Sequence, residues 1–136
     1  MDKIDAKFQA LSVLVVDDMD VIRNLVSSCL KELGVRKVFL SPNGSIAWNQ
    51  LQDTPIDIII CDWDMPQVSG LELLKLVRAS TKYNHIPFLM LTATTEKEKV
   101  VDAMEAGVSD FLSKPFSPKD LEYRVIKLLR KVKARK

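Results

Sequence analysis

Four apolar runs in this chain are each followed by polar residues whose types fit together. Asp17-Asp18 follow Leu11 to Val16, and Asp62-Trp63-Asp64-Met65-Pro66 follow a run that ends at Cys61. Thr92-Ala93-Thr94 follow Ile86 to Leu91, and Lys114-Pro115-Phe116 stand just beyond Val108 to Leu112. Brought to one edge, Asp17, Asp18 and Asp62 would crowd three carboxylates. Like charges at short range resist ionisation unless something positive compensates them. A hard divalent cation with oxygen ligands does so; Mg²⁺ accepts one or two carboxylates, keeps waters and takes phosphate oxygens. Lys114 supplies a second positive charge and Thr92 a hydroxyl donor. A carboxylate nucleophile, a metal, a cationic clamp and a donor make a set for phosphoryl transfer.

That chemistry requires elements that deliver all four strand ends to one place. A short β-like run followed by a helical pattern recurs five times. After the first strand, residues 20–33 place Val21, Ile22, Leu25, Val26, Cys29, Leu30 and Leu33 in adjacent pairs about four apart, a wide apolar stripe closed by Gly34. Lys37 to Leu40 is a second strand, Ser41-Pro42-Asn43-Gly44 a turn, and Ile46, Ala47, Trp48 and Leu51 belong to a second helix. Ile56 to Cys61 is apolar except for Asp57, as in strands buried on both faces of a parallel sheet. Gly70 opens a third helix carrying Leu71, Leu73, Leu74, Leu76 and Val77. Ile86 to Leu91 is the fourth strand, and Thr95 with Glu98 reads as a capping box for a fourth helix ending at Gly107. Val108 to Leu112 is a short fifth strand. Ser117 and Pro118 begin the last helix, whose core face is Leu121, Val125, Leu128 and Val132. Five such units predict an α/β fold, a doubly wound parallel sheet with helices on both faces and its site at the carboxyl ends of the strands.

Composition bounds the function. The chain has 136 residues, and 1–136 reads as one domain with its core at about 11–129, a short extension at 1–9 and a basic tail at 130–136. Twenty Lys and Arg against eighteen Asp and Glu leave +2, too little to steer the whole molecule toward nucleic acid or an anionic membrane. No apolar run approaches the roughly 18 residues of a spanning helix, and residues 1–18 do not resemble a secretory signal. Cys29 and Cys61 lie inside apolar runs and read as reduced core residues, which fits a cytoplasmic protein. Trp63 reads as a packing residue beside the site and an optical reporter on it, with Trp48 as background.

Taken together, D-D after the first strand, D-W-D-M-P after the third, T-A after the fourth and K-P-F after the fifth resemble the receiver domain of bacterial response regulators, most of all the stand-alone chemotaxis type. The likeness runs from about Leu11 to about Leu129. It implies a flavodoxin-like sheet in the order 2-1-3-4-5, a common order among doubly wound folds, and a cytoplasmic two-component signalling protein rather than an enzyme. It further implies that Asp62 accepts a phosphoryl group from a histidine kinase. Asp18 and Asp62 would ligate Mg²⁺, with Asp17 acting through water and the backbone carbonyl of Asp64 as a further ligand. Thr92 and Lys114 would hold the phosphoryl oxygens, and the Lys114–Pro115 bond would be cis. Thr92 and Phe111 would form the switch. The implied partner surface is the fourth helix, fifth strand and last helix, with the flagellar motor switch as a target, a phosphatase as an auxiliary partner, and a monomeric protein that binds no nucleic acid and inserts in no membrane. In two places the chain departs from its chemotaxis relatives: Asp64 replaces Asn and adds charge beside the route of the hydrolytic water, and Phe111 replaces Tyr and lacks its hydroxyl.

Other readings fit the residues less well. A phosphate sink or relay regulator outside motility uses the same site. Haloacid-dehalogenase-like phosphatases have similar pieces, but with the double Asp last in the chain. A Ca²⁺ loop over Asp62, Asp64 and Gly70 puts its glycine at the ninth position rather than the sixth. No strand is followed by G-x-G-x-x-G or a P-loop, and no length is left for a DNA-binding output domain.

Overall fold

The computed structural model describes residues 9–93 and 97–135. Its elements alternate along the chain: β1 (Ser12–Val16), α1 (Asp20–Leu33), β2 (Lys37–Ser41), α2 (Gly44–Asp53), β3 (Ile58–Asp62), α3 (Gly70–Ala79), β4 (Phe88–Thr92), α4 (Lys97–Glu105), β5 (Asp110–Ser113) and α5 (Pro118–Arg135). All strand pairs are parallel, and the sheet runs β2-β1-β3-β4-β5 as the resemblance implied.

Strand alternation divides the core between two faces. Val13, Val15, Ile58, Ile60, Leu89, Leu91 and Leu112 meet α1 and α5 on one side. Leu14, Val16, Ile59, Cys61, Phe88 and Met90 meet α2, α3 and Ala103 of α4 on the other. β1, β3 and β4 are buried at every position, which is why their sequences are apolar runs and not alternating ones. Cys29 and Cys61 are both buried and unpaired. No helix among the described residues is long and apolar enough to cross a membrane.

Several expectations from periodicity need correction. The buried stripe of α1 is narrower than its apolar residues suggest: Val26, Cys29, Leu30 and Leu33 are buried, whereas Val21 and Leu25 are exposed. Val21 and Leu25 each precede a stripe residue by one position, about 100° round the helix, and so turn off the sheet. Ile46 and Leu76 are exposed for the same kind of reason. β3 starts at Ile58, not Ile56, because the Asp57 carboxylate accepts the backbone N–H of Ser12 at 2.8 Å and ends the ladder there. Residues 130–135 of the expected basic tail belong to α5, which continues to Arg135 and buries Val132 in the core; residue 136 lies outside the described residues. The expected Thr95–Glu98 box lies outside the described residues.

Helix ends follow local chemistry. Gly34 has φ 105°, a left-handed conformation that closes α1, and the N–H groups of Gly34 and Val35 return to the carbonyls of Lys31 and Leu30. α3 begins with a reciprocal box between Ser69 and Glu72. Ser117 and Asp120 cap each other in the same way at α5. Arg78 of α3 straps the far edge of the sheet, donating to the carbonyls of Asn84 and Ile86 at 3.0 and 2.6 Å and to that of Gly107 at 2.8 Å.

Candidate functional site

Strand register builds the site. β1 and β3 are neighbours with Val16 opposite Cys61, so the next residues, Asp17 and Asp62, come side by side at the carboxyl edge. β4 lies on the other side of β3 with Leu91 opposite Asp62, which sets Thr92 next along the same edge. β5 ends opposite Thr92 at Ser113, and the Lys114 N–H donates to the Thr92 carbonyl at 2.8 Å. The peptide bond from Lys114 to Pro115 is cis. From there the Lys114 side chain reaches back past β4 to both acids. Its Nζ lies 2.9 Å from Asp62 Oδ1 and 3.2 Å from Asp17 Oδ2.

One carboxylate oxygen from each of Asp17, Asp18 and Asp62 lies within 4.8 Å of the other two. Asp17 is fully buried, Asp62 is 5% exposed, and Asp18 forms the open rim. The other Asp17 oxygen accepts the Met19 N–H at 2.9 Å, which fixes that carboxylate against the turn into α1. Burial pushes the Asp62 carboxyl above its ordinary pKa; the charges of Asp17 and Asp18 push the same way, and Lys114 opposes them by hydrogen bond and charge. For Lys114, burial favours the neutral amine, but the hydrogen bonds and charges of Asp62 and Asp17 prevail and raise its pKa. The Cys61 thiol beneath them is held well above its ordinary pKa by burial first and by both carboxylates second, so it stays protonated. The Lys114 ammonium thus pairs with two members of the three-acid cluster, Asp17 and Asp62. An all-oxygen donor set with surplus negative charge and one open side suits a hard divalent cation.

Every expected strand-end residue among the described ones comes to this edge except one. The Asp64 side chain is 62% exposed and stands apart from the three-acid cluster; its oxygen lies 3.8 Å from Lys99 Nζ of α4. Thr92 is buried at the end of β4. Phe111 of β5 is half-buried and packs on the α2, α3 and α4 side of the sheet. Arg124 pairs with Asp110 at 2.7 Å and ties α5 to β5. Two supporting residues escaped sequence reasoning. Arg23 donates to the Asp17 carbonyl and pairs with Asp20, and the three-residue spacing from Asp20 on a helix was the available signal. Lys99 had none, because only the folded chain brings α4 to Asp64.

An apolar groove adjoins the acids, lined by Ile22, Leu25, Ala93, Pro115 and Phe116 with Lys114 at its end. The exposed Leu25 that periodicity assigned to the core is one of its walls.

Comparison with known proteins agrees with this geometry. The response regulator receiver domain model matches residues 13–126. The chain is 31% identical over 122 residues to the chemotaxis protein CheY of Pseudomonas aeruginosa, covering 90% of this chain and 98% of that one. Among solved structures, chemotaxis protein CheY4 of Vibrio cholerae superposes with a TM-score of 0.82 at 36% identity, over 88% of this chain and 99% of the other. The receiver domain of a sensor histidine kinase from P. aeruginosa, described with a magnesium ion in its active-site cleft, gives a TM-score of 0.79 at 25% identity, over 88% and 97%. A doubly wound sheet with acids and a lysine gathered at its carboxyl edge therefore has a family: the chain belongs to the response regulator receiver domains, the phosphoacceptor modules of two-component signalling, and is CheY-like among them.

Proposed function

We propose that Asp62 is the phosphoacceptor and that the protein signals in chemotaxis. The observation that carries this is the Asp62 carboxylate, nearly buried yet aimed at Lys114 Nζ at 2.9 Å with Asp17 and Asp18 alongside. Burial disfavours the Asp62 anion and raises its pKa; Lys114 favours the anion, and only the anion attacks phosphorus. The Asp17, Asp18 and Asp62 cluster fits a hard divalent cation: Asp18 and Asp62 would hold Mg²⁺, assisted by Asp17 and the Asp64 carbonyl, and the ion would supply the positive charge that three crowded acids and a phosphoryl group require. An Asp62 oxygen forms a bond to phosphorus as the N–P bond of a kinase phosphohistidine breaks, and the departing imidazole nitrogen takes up a proton. Lys114 and Thr92 then hold phosphoryl oxygens. Water later hydrolyses the acyl phosphate to restore the carboxylate and inorganic phosphate. The apolar groove walled by Leu25 and Phe116 gives the phosphodonor protein a surface that leads to Lys114.

The output surface in this reading is α4, β5 and α5, which exposes Val101, Met104 and Tyr123. A flagellar motor switch protein is the target by likeness to the chemotaxis relatives, with a phosphatase as a second partner, all in the cytoplasm. A phosphate sink or relay is the second reading, favoured by the loss of a hydroxyl at Phe111. Incubation with a small phosphodonor tests the core proposal. The parent protein takes up acid-labile label that a chelator abolishes, and Asp62→Asn takes up none while keeping its circular dichroism. Undiminished labelling of folded Asp62→Asn, or labelling in excess chelator, overturns it.

A further inference from the structure

The Asp64–Lys99 pair is a contact near the site that neither the strand ends nor the family motifs account for. Lys99 sits in the first turn of α4, with its Nζ 3.8 Å from Asp64 Oδ1 and 5.8 Å from the centroid of the Trp63 ring. Trp63 and Asp64 immediately follow Asp62. The Trp63 backbone is held on both sides, its N–H donating to the Leu91 carbonyl and its carbonyl accepting from the Gly70 N–H, and the residue is buried beside the site. Asp64 is mostly exposed and Lys99 one-third exposed, so their attraction is weak, in the range of about 0–1 kcal/mol for pairs of this kind. Such a contact adds little to stability. Its effect falls on where the Asp64 carboxylate points and how much charge it presents.

We propose that Lys99 is a positioning residue that sets the lifetime of the phosphorylated protein by holding Asp64 out of the hydrolysis route. The proposal rests on Asp62 as phosphoacceptor. Released from Lys99, the Asp64 carboxylate is an uncompensated anion two residues from the acyl phosphate. It accepts a hydrogen bond from water and raises the nucleophilicity of that water's oxygen. It also repels the phosphoryl oxygens, which are more charged in the acyl phosphate than in a loose transition state. Both effects speed hydrolysis. Paired with the ammonium, the carboxylate does neither, and the charge that this chain carries in place of its relatives' Asn is neutralised locally.

A double-mutant comparison of dephosphorylation rates decides the matter, because a residue acting through Asp64 has no effect once that carboxylate is gone. Lys99→Met shortens the phosphorylated lifetime at least threefold in the parent protein, Lys99→Arg restores it, and Lys99→Met changes it less than 1.5-fold in an Asp64→Asn background. Tryptophan emission of the unphosphorylated, metal-free protein, read in a Trp48→Phe background, shifts with Lys99→Met and not with Lys99→Arg. A lengthened or unchanged lifetime in Lys99→Met, or the same shortening with and without the Asp64 carboxylate, overturns the proposal. Absence of label in the parent would instead fault Asp62 as acceptor, and an emission spectrum blind to Lys99→Met would then overturn the Lys99 contact on its own.

Discussion

Asp62 sits at a balance that is unfavourable in the bare protein. Burial is the largest influence on its carboxyl and raises its pKa, the charges of Asp17 and Asp18 add to the rise, and the single ammonium of Lys114 offsets only part. A carboxyl whose pKa is higher folded than unfolded makes the native state bind more protons than the unfolded chain in the window between the two values. Stability then falls as pH rises through that window. The window opens at the ordinary carboxylate value near about 4 and extends upward. Asp62→Asn removes the titration and the extra charge, so in chelated buffer it unfolds at higher urea than the parent at neutral pH. The gap narrows as pH falls through the window and closes below about pH 4, where the parent's Asp62 becomes protonated in both states. Urea midpoints between these limits check this, and a gap constant with pH would show that the site's charges do not govern stability. Mg²⁺ bound at the proposed site should act in the opposite sense, stabilising the parent in proportion to the logarithm of its concentration above the dissociation constant.

At the scale of elements, a close joint lies where α3 starts against the end of β3. A Cβ on Gly70 would lie 2.3 Å from the Asp62 carbonyl oxygen and 2.9 Å from Trp63 Cα, both backbone atoms. Gly70→Ala must therefore push α3 off the strand that carries Asp62. It costs about 1–3 kcal/mol or more, as overpacking does, and slows labelling because it displaces the Asp62–Trp63 peptide. Labelling at the parent rate in a protein of parent stability would contradict the close approach. This joint also shows what the sequence revealed. Gly70 was legible as a helix start, but the Ser69–Glu72 box one step earlier was not singled out. The site was legible because strand ends are marked by a change from apolar to polar residues, and because a doubly wound sheet gathers them. Asp57 was misplaced inside a strand because its partner is the Ser12 N–H on another strand. Arg78 gave no signal at all, since carbonyls from two loops receive it only after folding. What periodicity cannot show is which of two apolar lines on a helix meets the sheet, and Val21 and Leu25 of α1 show the consequence.

Across the whole molecule, the two faces of the sheet have different holds on their helices. α1 and α5 share a continuous core from Val26 and Leu33 to Leu121 and Val132. α4 buries only Ala103 fully and leaves Val101 and Met104 exposed. Phe111 is half-buried on that same side of the sheet. A helix held by so little apolar surface is the element a small change at the site can displace. On the proposed mechanism, phosphorylation of Asp62 would add charge and acceptor oxygens at the strand edge that carries Thr92. A Thr92 hydroxyl drawn onto the phosphoryl group would leave room toward β5, and the Phe111 ring would gain burial by turning into it. At about 25 cal/mol per Å² of apolar surface removed from water, a half-buried phenyl ring has on the order of 1 kcal/mol to gain. That is enough to shift two states a few kcal/mol apart by a measurable fraction. Beryllofluoride, a phosphoryl mimic, should therefore alter amide exchange along α4 in the parent protein and leave α1 unchanged. Phe111→Ala should still bind the mimic, with the α4 response reduced at least about threefold, because the group whose burial drives the shift is gone. If α4 responds equally in Phe111→Ala and the parent, Phe111 is a fixed core residue and the coupling runs by another route.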